Sequence, residues 1–185
     1  MFEILLTTLA ALAVVPVVLL AQATPTAAFT LTSPAFKDGQ AIPKRHANKG
    51  VSGALNLSPA LAWANVPAST KSLALACVDR HPIANNWVHW LVINIPAGEN
   101  LLPEGVSGTV KVPDGIEELN NTFGTKGWGG PQPPPGSGSH SYEFQLYALS
   151  VERLSLPPKA SLATFNAAVE GKVLATARLV GTHER

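Results

Sequence analysis

The run Gly127-Trp128-Gly129-Gly130-Pro131-Gln132-Pro133-Pro134-Pro135-Gly136 packs four glycines and four prolines into ten residues. It can be neither a helix interior nor a central strand, because proline lacks the backbone donor and holds φ fixed. Its glycines supply the dihedrals that other residues avoid, so the run reads as a stiff, ordered loop. A stiff loop beside strands is a good place to hold a ligand, because little entropy is lost when one binds.

The rest of the chain reads mainly as strands separated by turns. Phe29 to Thr32 is short and β-prone, and Ser72 to Val78 alternates larger and smaller apolar residues. Val88 to Ile95 is rich in β-branched and aromatic residues and ends at Pro96. Tyr142 to Leu149 alternates Tyr142, Phe144 and Leu146 against Glu143, Gln145 and Tyr147, and Ala175 to Val180 is a further candidate. A single helix is expected, with Leu162, Phe165, Val169 and Val173 on one face and Gly171 weakening its last turn. Lys37 to Asn56 and Phe123 to Ser141 read as ordered loops. With 185 residues the chain suits one domain with a real core. The expected fold is mainly β, an antiparallel β-sandwich-like α+β domain with one helix toward the C-terminus.

Residues Ile4 to Leu20 are almost continuously apolar and are followed by Ala21-Gln22-Ala23, a small-x-small cleavage pattern. Residues 1–23 therefore read as a secretory signal and 24–185 as the domain. Glu3, with no Lys or Arg near it, is unusual for a signal, and the competing reading is an uncleaved membrane anchor. Either reading places the domain outside the cytoplasm, periplasmic or secreted.

Charge and cysteine content exclude several functions. The formal charge is +1, which argues against a nucleic-acid partner. One cysteine, Cys77, permits no intrachain disulfide and no multi-cysteine metal cluster, and its apolar surroundings mark it as a buried, inert thiol. No Gly-x-Ser-x-Gly elbow, no His-Glu-x-x-His pair and no phosphate-cradling P-loop occurs. A serine hydrolase, or a metal enzyme using His81, His89 and His140, is thus the weaker alternative, and neither a cofactor nor a metal is expected.

The polar candidates lie at strand ends. Asp79 closes one strand and opens the turn Asp79-Arg80-His81-Pro82. His89 sits inside Trp87-Val88-His89-Trp90-Leu91, where alternation puts it on the face of Leu91, Ile93 and Ile95. His140 follows the Pro-Gly loop and Tyr142 begins the next strand. If these strands are neighbours, one cavity collects Asp79, His89, His140 and Tyr142. Two imidazoles, a phenol and loop N–H groups would then donate to an anion, with Asp79 orienting one imidazole. Binding should strengthen as the pH falls toward 6, because an anion raises the imidazole pKa values.

Several blocks resemble the phosphatidylethanolamine-binding protein family, in its bacterial Raf-kinase-inhibitor-like (YbhB/YbcL) branch. They are Phe29-Thr30-Leu31-Thr32-Ser33-Pro34 with Lys37-Asp38-Gly39, Asn56-Leu57-Ser58-Pro59-Ala60-Leu61-Ala62-Trp63, Trp87 to Pro96, and the Pro-rich loop with His140-Ser141-Tyr142. The resemblance implies a small end-of-sandwich pocket that binds phosphate-like anions or phospholipid head groups without catalysis. It implies His89, His140 and Tyr142 as the polar wall, with Gly130, Pro133 and Pro134 in the bordering loop. Pro82 matches the proline that ends the family's Asp-Pro-Asp-Ala-Pro motif. Here the chain departs from the motif: with a one-residue deletion Asp79 takes the first aspartate's place, and without a gap Val78 occupies it. Arg80 and His81 add positive character, and Trp128 stands where the family usually has a tyrosine. The expected ligand bears a phosphate or carboxylate, free or on a membrane-surface phospholipid. The second reading is a protein partner, met as in protease- or kinase-inhibiting relatives, through the basic segment Lys44-Arg45-His46 and Lys49.

Overall fold

The computed structural model describes residues 27–109 and 112–185. The expected signal or anchor, residues 1–23, lies outside the described residues.

The described chain forms two sheets. Strands β1 (Thr30–Thr32), β3 (Leu61–Ala64) and β6 (Leu101–Leu102) make a three-stranded sheet in the order β1-β3-β6. Strands β2 (Gln40–Ala41), β4 (Ser72–Asp79), β5 (Trp87–Pro96), β7 (Glu117–Glu118), β8 (His140–Leu149) and β9 (Val173–His183) make a six-stranded sheet in the order β2-β9-β8-β4-β5-β7. The described residues are thus mainly β with one α-helix, α1 (Leu162–Val169). All pairings are antiparallel except the short β2, which lies parallel to β9.

Strand β4 explains the layering. Every residue from Ser72 to Asp79 is buried, as expected of a strand covered on both faces. Leu73, Leu75 and Cys77 enter the core between the two sheets, with Leu31, Leu61, Trp63 and Phe144. Ala74, Ala76 and Val78 enter a second core under α1, with Phe165 and Val169. Burying a side chain the size of Phe165 contributes roughly 2–3 kcal/mol, enough to hold a two-turn helix on the sheet.

Ser161 caps α1, its hydroxyl accepting from the Thr164 N–H at 3.1 Å. The helix stops at Val169, and Gly171 turns the chain at φ +72°. Val173 therefore starts β9 instead of continuing the helical face that its spacing predicts.

The alternation assigned to His89 also fails. Cys77 pairs with Trp90 and Val78 with Val88, so His89 is the extra residue of a β-bulge. A bulge puts two successive side chains on one face. His89 consequently meets Tyr142 and Trp128 of the inter-sheet core, whereas Leu91 and Ile93 belong to the helix-side core. Ile95 returns to the inter-sheet side after a second irregularity near Asn94, whose φ is +62°.

Candidate functional site

The order β5-β4-β8 brings three chain ends together. Asp79, last in β4, pairs with Trp87 of β5 on one side and Tyr142 of β8 on the other. A cavity of about 450 Å³ opens there, lined by Asp79, His89, Pro133, Pro134, His140 and Tyr142. Ile83, Ala84, Trp87, Phe123 and Gln132 complete the lining. Six of the eight candidate residues thus share one hollow. Val78, the alternative to Asp79, points into the helix-side core.

The other two candidates do not line it. Pro82 starts a short 3-10 helix, Pro82–Ala84, and it is Ile83 and Ala84 that reach the mouth. Gly130 serves the loop's anchorage. A Cβ there would overlap the His46 carbonyl oxygen and the Ala47 backbone, so only glycine fits. Its N–H goes to the Asn56 side chain at 2.7 Å, and the Gly129 N–H to the His89 carbonyl at 2.9 Å. These loop donors are used inside the protein and are not offered to a ligand.

The two long loops form one unit. Asn56 also donates to the Trp128 carbonyl, the Trp128 indole donates to the His46 carbonyl at 3.0 Å, and the Asn48 N–H meets the Pro131 carbonyl at 3.0 Å. The segment expected to be a basic docking surface also brackets the Pro-rich loop, and its Lys44, Arg45 and Lys49 are exposed. His46 is fully buried and Arg45 is paired with Glu104 at 2.8 Å. Trp128 is buried in the core, stacked on Phe144, and is not an aromatic surface of the cavity.

Asp79 and His140 are both buried, with His140 Nδ1 donating to Asp79 Oδ2 at 2.6 Å. The other Asp79 oxygen accepts the His81 backbone N–H at 2.8 Å. The His81 ring stacks on His140 with centroids 3.9 Å apart. Arg80 turns outward instead, bridging to Glu143 and Asn86, so its charge is spent away from the cavity. His140 Nε2 lies 3.0 Å from Ser137 Oγ, which gives Asp79, His140 and Ser137 the connectivity of a hydrolytic triad. The Ser137 hydroxyl, however, donates to the Pro134 carbonyl at 2.7 Å, and Ser137 is not among the residues lining the cavity. Among the described residues no three His, Cys, Asp or Glu side chains are placed to share a metal ion.

His89 departs from the expectation of two donor imidazoles. Its Nδ1 lies 2.5 Å from the Gly129 carbonyl, and a carbonyl only accepts, so Nδ1 carries the proton. Burial pulls the pKa of the ring down to about 4, against the raising effect of that carbonyl and of Asp79. His89 therefore stays neutral near pH 6 in the unliganded protein. Burial likewise drives the Tyr142 phenol far above its usual range, so it remains an O–H donor.

Two donors on lining residues have no partner among the described residues: the Tyr142 hydroxyl and the Trp87 indole N–H, both shielded from solvent. Trp87 and Phe123, which meet edge to face at 5.1 Å, were not singled out by sequence reasoning. Phe123 reaches the mouth because neighbouring Thr122 is tied to Val88 through its N–H and its hydroxyl, each at 2.9 Å. No sequence signal marks that tie. The unusual density of aromatics in Trp87-Val88-His89-Trp90 was the one available hint for Trp87.

Comparison with known proteins agrees with this architecture. A family model described as phosphatidylethanolamine-binding protein matches residues 32–184. The YbhB protein of Escherichia coli is 40% identical over 152 residues, covering 80% of this chain and 96% of that protein. A Mycobacterium tuberculosis protein named as the lipoprotein LppC is 37% identical over 155 residues, covering 84% of this chain and 72% of its own length. The crystal structure of E. coli YbcL, described as a member of the mammalian PEBP family, superposes with a TM-score of 0.80 at 34% identity. It covers 86% of this chain and 99% of YbcL.

Proposed function

We infer, for a chain that belongs to the phosphatidylethanolamine-binding protein family, that the cavity at the β5-β4-β8 end holds a small oxyanion. The ligand is a phosphate or carboxylate, free or carried on a head group such as phosphoethanolamine. The observation that carries this reading is the pair of unpartnered donors, Tyr142 Oη–H and Trp87 Nε1–H, on residues lining a cavity that has no Lys or Arg among its described lining residues. A buried donor left unpaired costs about 1–3 kcal/mol, which an anionic oxygen placed between the two would recover.

Binding without turnover fits the same geometry. The Ser137 hydroxyl is held on Pro134 and does not line the hollow. Asp79 and His140 support the wall, with Pro133 and Pro134 stiffening its rim. The apolar start of the chain, together with the likeness to a protein named as a lipoprotein, supports an exported location. Titration of phosphate and of phosphoethanolamine by calorimetry tests the reading. Tyr142→Phe deletes one donor while keeping the ring, Trp87→Phe deletes the other while leaving a smaller aromatic ring, and each should weaken phosphate about tenfold. Undiminished affinity in both variants would refute the assignment.

A further inference from the structure

The orientation of His89 restricts which anions can enter. With Nδ1–H turned to the Gly129 carbonyl, the neutral ring has only Nε2 left for a ligand, and that nitrogen carries a lone pair. The groups facing the ring are Asp79 from β4, Tyr142 and His140 from β8, and Phe123, Trp128 and the Gly129 and Gly130 carbonyls from the long loop. Asp79 is a second acceptor, its carboxylate already taking a proton donor on each oxygen. Among the described residues, those lining the hollow include no Lys and no Arg. Of the residues lining the hollow, Tyr142 and Trp87 thus carry donors that are shielded from solvent and unpartnered among the described residues, and His89 and Asp79 carry acceptors.

An oxyanion with no hydrogen satisfies the donors but sets its own lone pairs against His89 Nε2. An oxyanion with one acidic hydrogen satisfies both sides, giving its O–H to Nε2 while its remaining oxygens accept. Sites that contain a buried hydrogen-bonding group reject analogues that leave it unpaired.

Resting on the anion-binding reading above, we propose that His89 Nε2 reads a hydrogen on the ligand, so that the cavity accepts phosphate and the singly protonated form of a phosphomonoester and discriminates against sulfate. Hydrogen phosphate and sulfate have the same shape and the same double charge near neutral pH and differ by that one hydrogen. A phosphodiester has no such hydrogen on its phosphate oxygens and fits only when it brings an N–H of its own, as an ethanolamine head group does. A simple monoester, mostly dianionic above about pH 7, must collect a proton as it binds.

The test uses the full domain and three salts: sodium phosphate, sodium sulfate and methyl phosphate. Calorimetric titration at about pH 7.5 should show phosphate binding at least about tenfold more tightly than sulfate. Methyl phosphate, titrated in two buffers of different ionisation enthalpy, should bind with uptake of close to one proton. In His89→Ala the acceptor is gone, and the preference for phosphate over sulfate should shrink to about threefold or less. The first two measurements need no variant, so a folding defect in His89→Ala leaves the proposal testable. Phosphate and sulfate binding with equal affinity, or methyl phosphate binding without proton uptake, overturns hydrogen reading and leaves anion binding intact. Failure of all three salts to bind overturns the anion-binding reading itself, and this inference with it.

Discussion

His140 donates through Nδ1 to Asp79 at 2.6 Å, and the two side chains, on adjacent strands, are respectively 1% and 3% exposed. Asp79 also accepts the His81 N–H, so a single carboxylate holds both the cavity wall and the turn above it. Deleting one partner of such a pair leaves the other buried without compensation. Asp79→Ala should lower stability by about 3–5 kcal/mol, read from urea unfolding at neutral pH. Asp79→Asn, which keeps an acceptor for His81, should cost less. Equal stability of wild type and Asp79→Ala would show that the pair is not a support.

Tyr142→Phe should behave in the opposite way. Its hydroxyl has no partner among the described residues, so removal relieves an unpaired group and keeps the ring packed on His89. Urea unfolding of the unliganded variant should show stability equal to wild type or up to about 1 kcal/mol higher. A clear loss would mean that the hydroxyl already serves the fold.

Acid should weaken the protein through His89. Its pKa is about 4 in the folded chain and near the ordinary histidine value when unfolded, so the unfolded state binds the extra proton between the two. The contribution is complete above about pH 6.5 and fades as the pH falls toward 4, reaching a loss of roughly 3 kcal/mol. His46 and His183, also lowered by burial, act with the same sign. Urea midpoints measured across this range should fall for wild type and fall less for His89→Gln. Parallel profiles would remove His89 from the acid response.

Gly130→Ala should displace the Pro-rich loop. The added methyl meets the backbone of His46 and Ala47, which cannot rotate away as a side chain would. A loss of about 1–3 kcal/mol or more is expected, together with weaker phosphate binding, because Pro133 and Pro134 move with the loop. Gly136→Ala is the control: its Cβ meets nothing within 4 Å, although its φ of +75° still carries some strain. If both variants lose stability equally, steric anchorage at Gly130 is not the cause.

The apolar runs made most of the strands legible. Ser72 to Val78 reads as a strand because larger and smaller apolar residues alternate along it, and Tyr142 to Leu149 because its alternation matches the pleat. The gathering of Asp79, His89, His140 and Tyr142 followed from their places at strand ends. The direction of His89 was not legible, because one bulge residue reverses a face without altering composition. Phe123 was hidden for another reason: it owes its place to a hydrogen-bonded tie between Thr122 and Val88, 34 residues apart. Lys44-Arg45-His46 reads as a solvated basic run, yet His46 is buried because its carbonyl anchors Trp128 and its ring bonds the Leu57 carbonyl. Such long-range polar ties leave no local pattern.

The four tryptophan indoles offer the most direct test of the anion site. Three N–H groups are already bonded: Trp63 to the Glu99 carbonyl, Trp90 to Glu118 and Trp128 to the His46 carbonyl. Among the described residues only the Trp87 N–H lacks a partner, and Trp87 is a residue that lines the cavity. In a nitrogen-15 correlation spectrum titrated with sodium phosphate, the Trp87 indole signal should shift downfield and saturate while the other three stay in place. A Trp87 signal that does not move, or four signals that drift together, would contradict phosphate binding at this site.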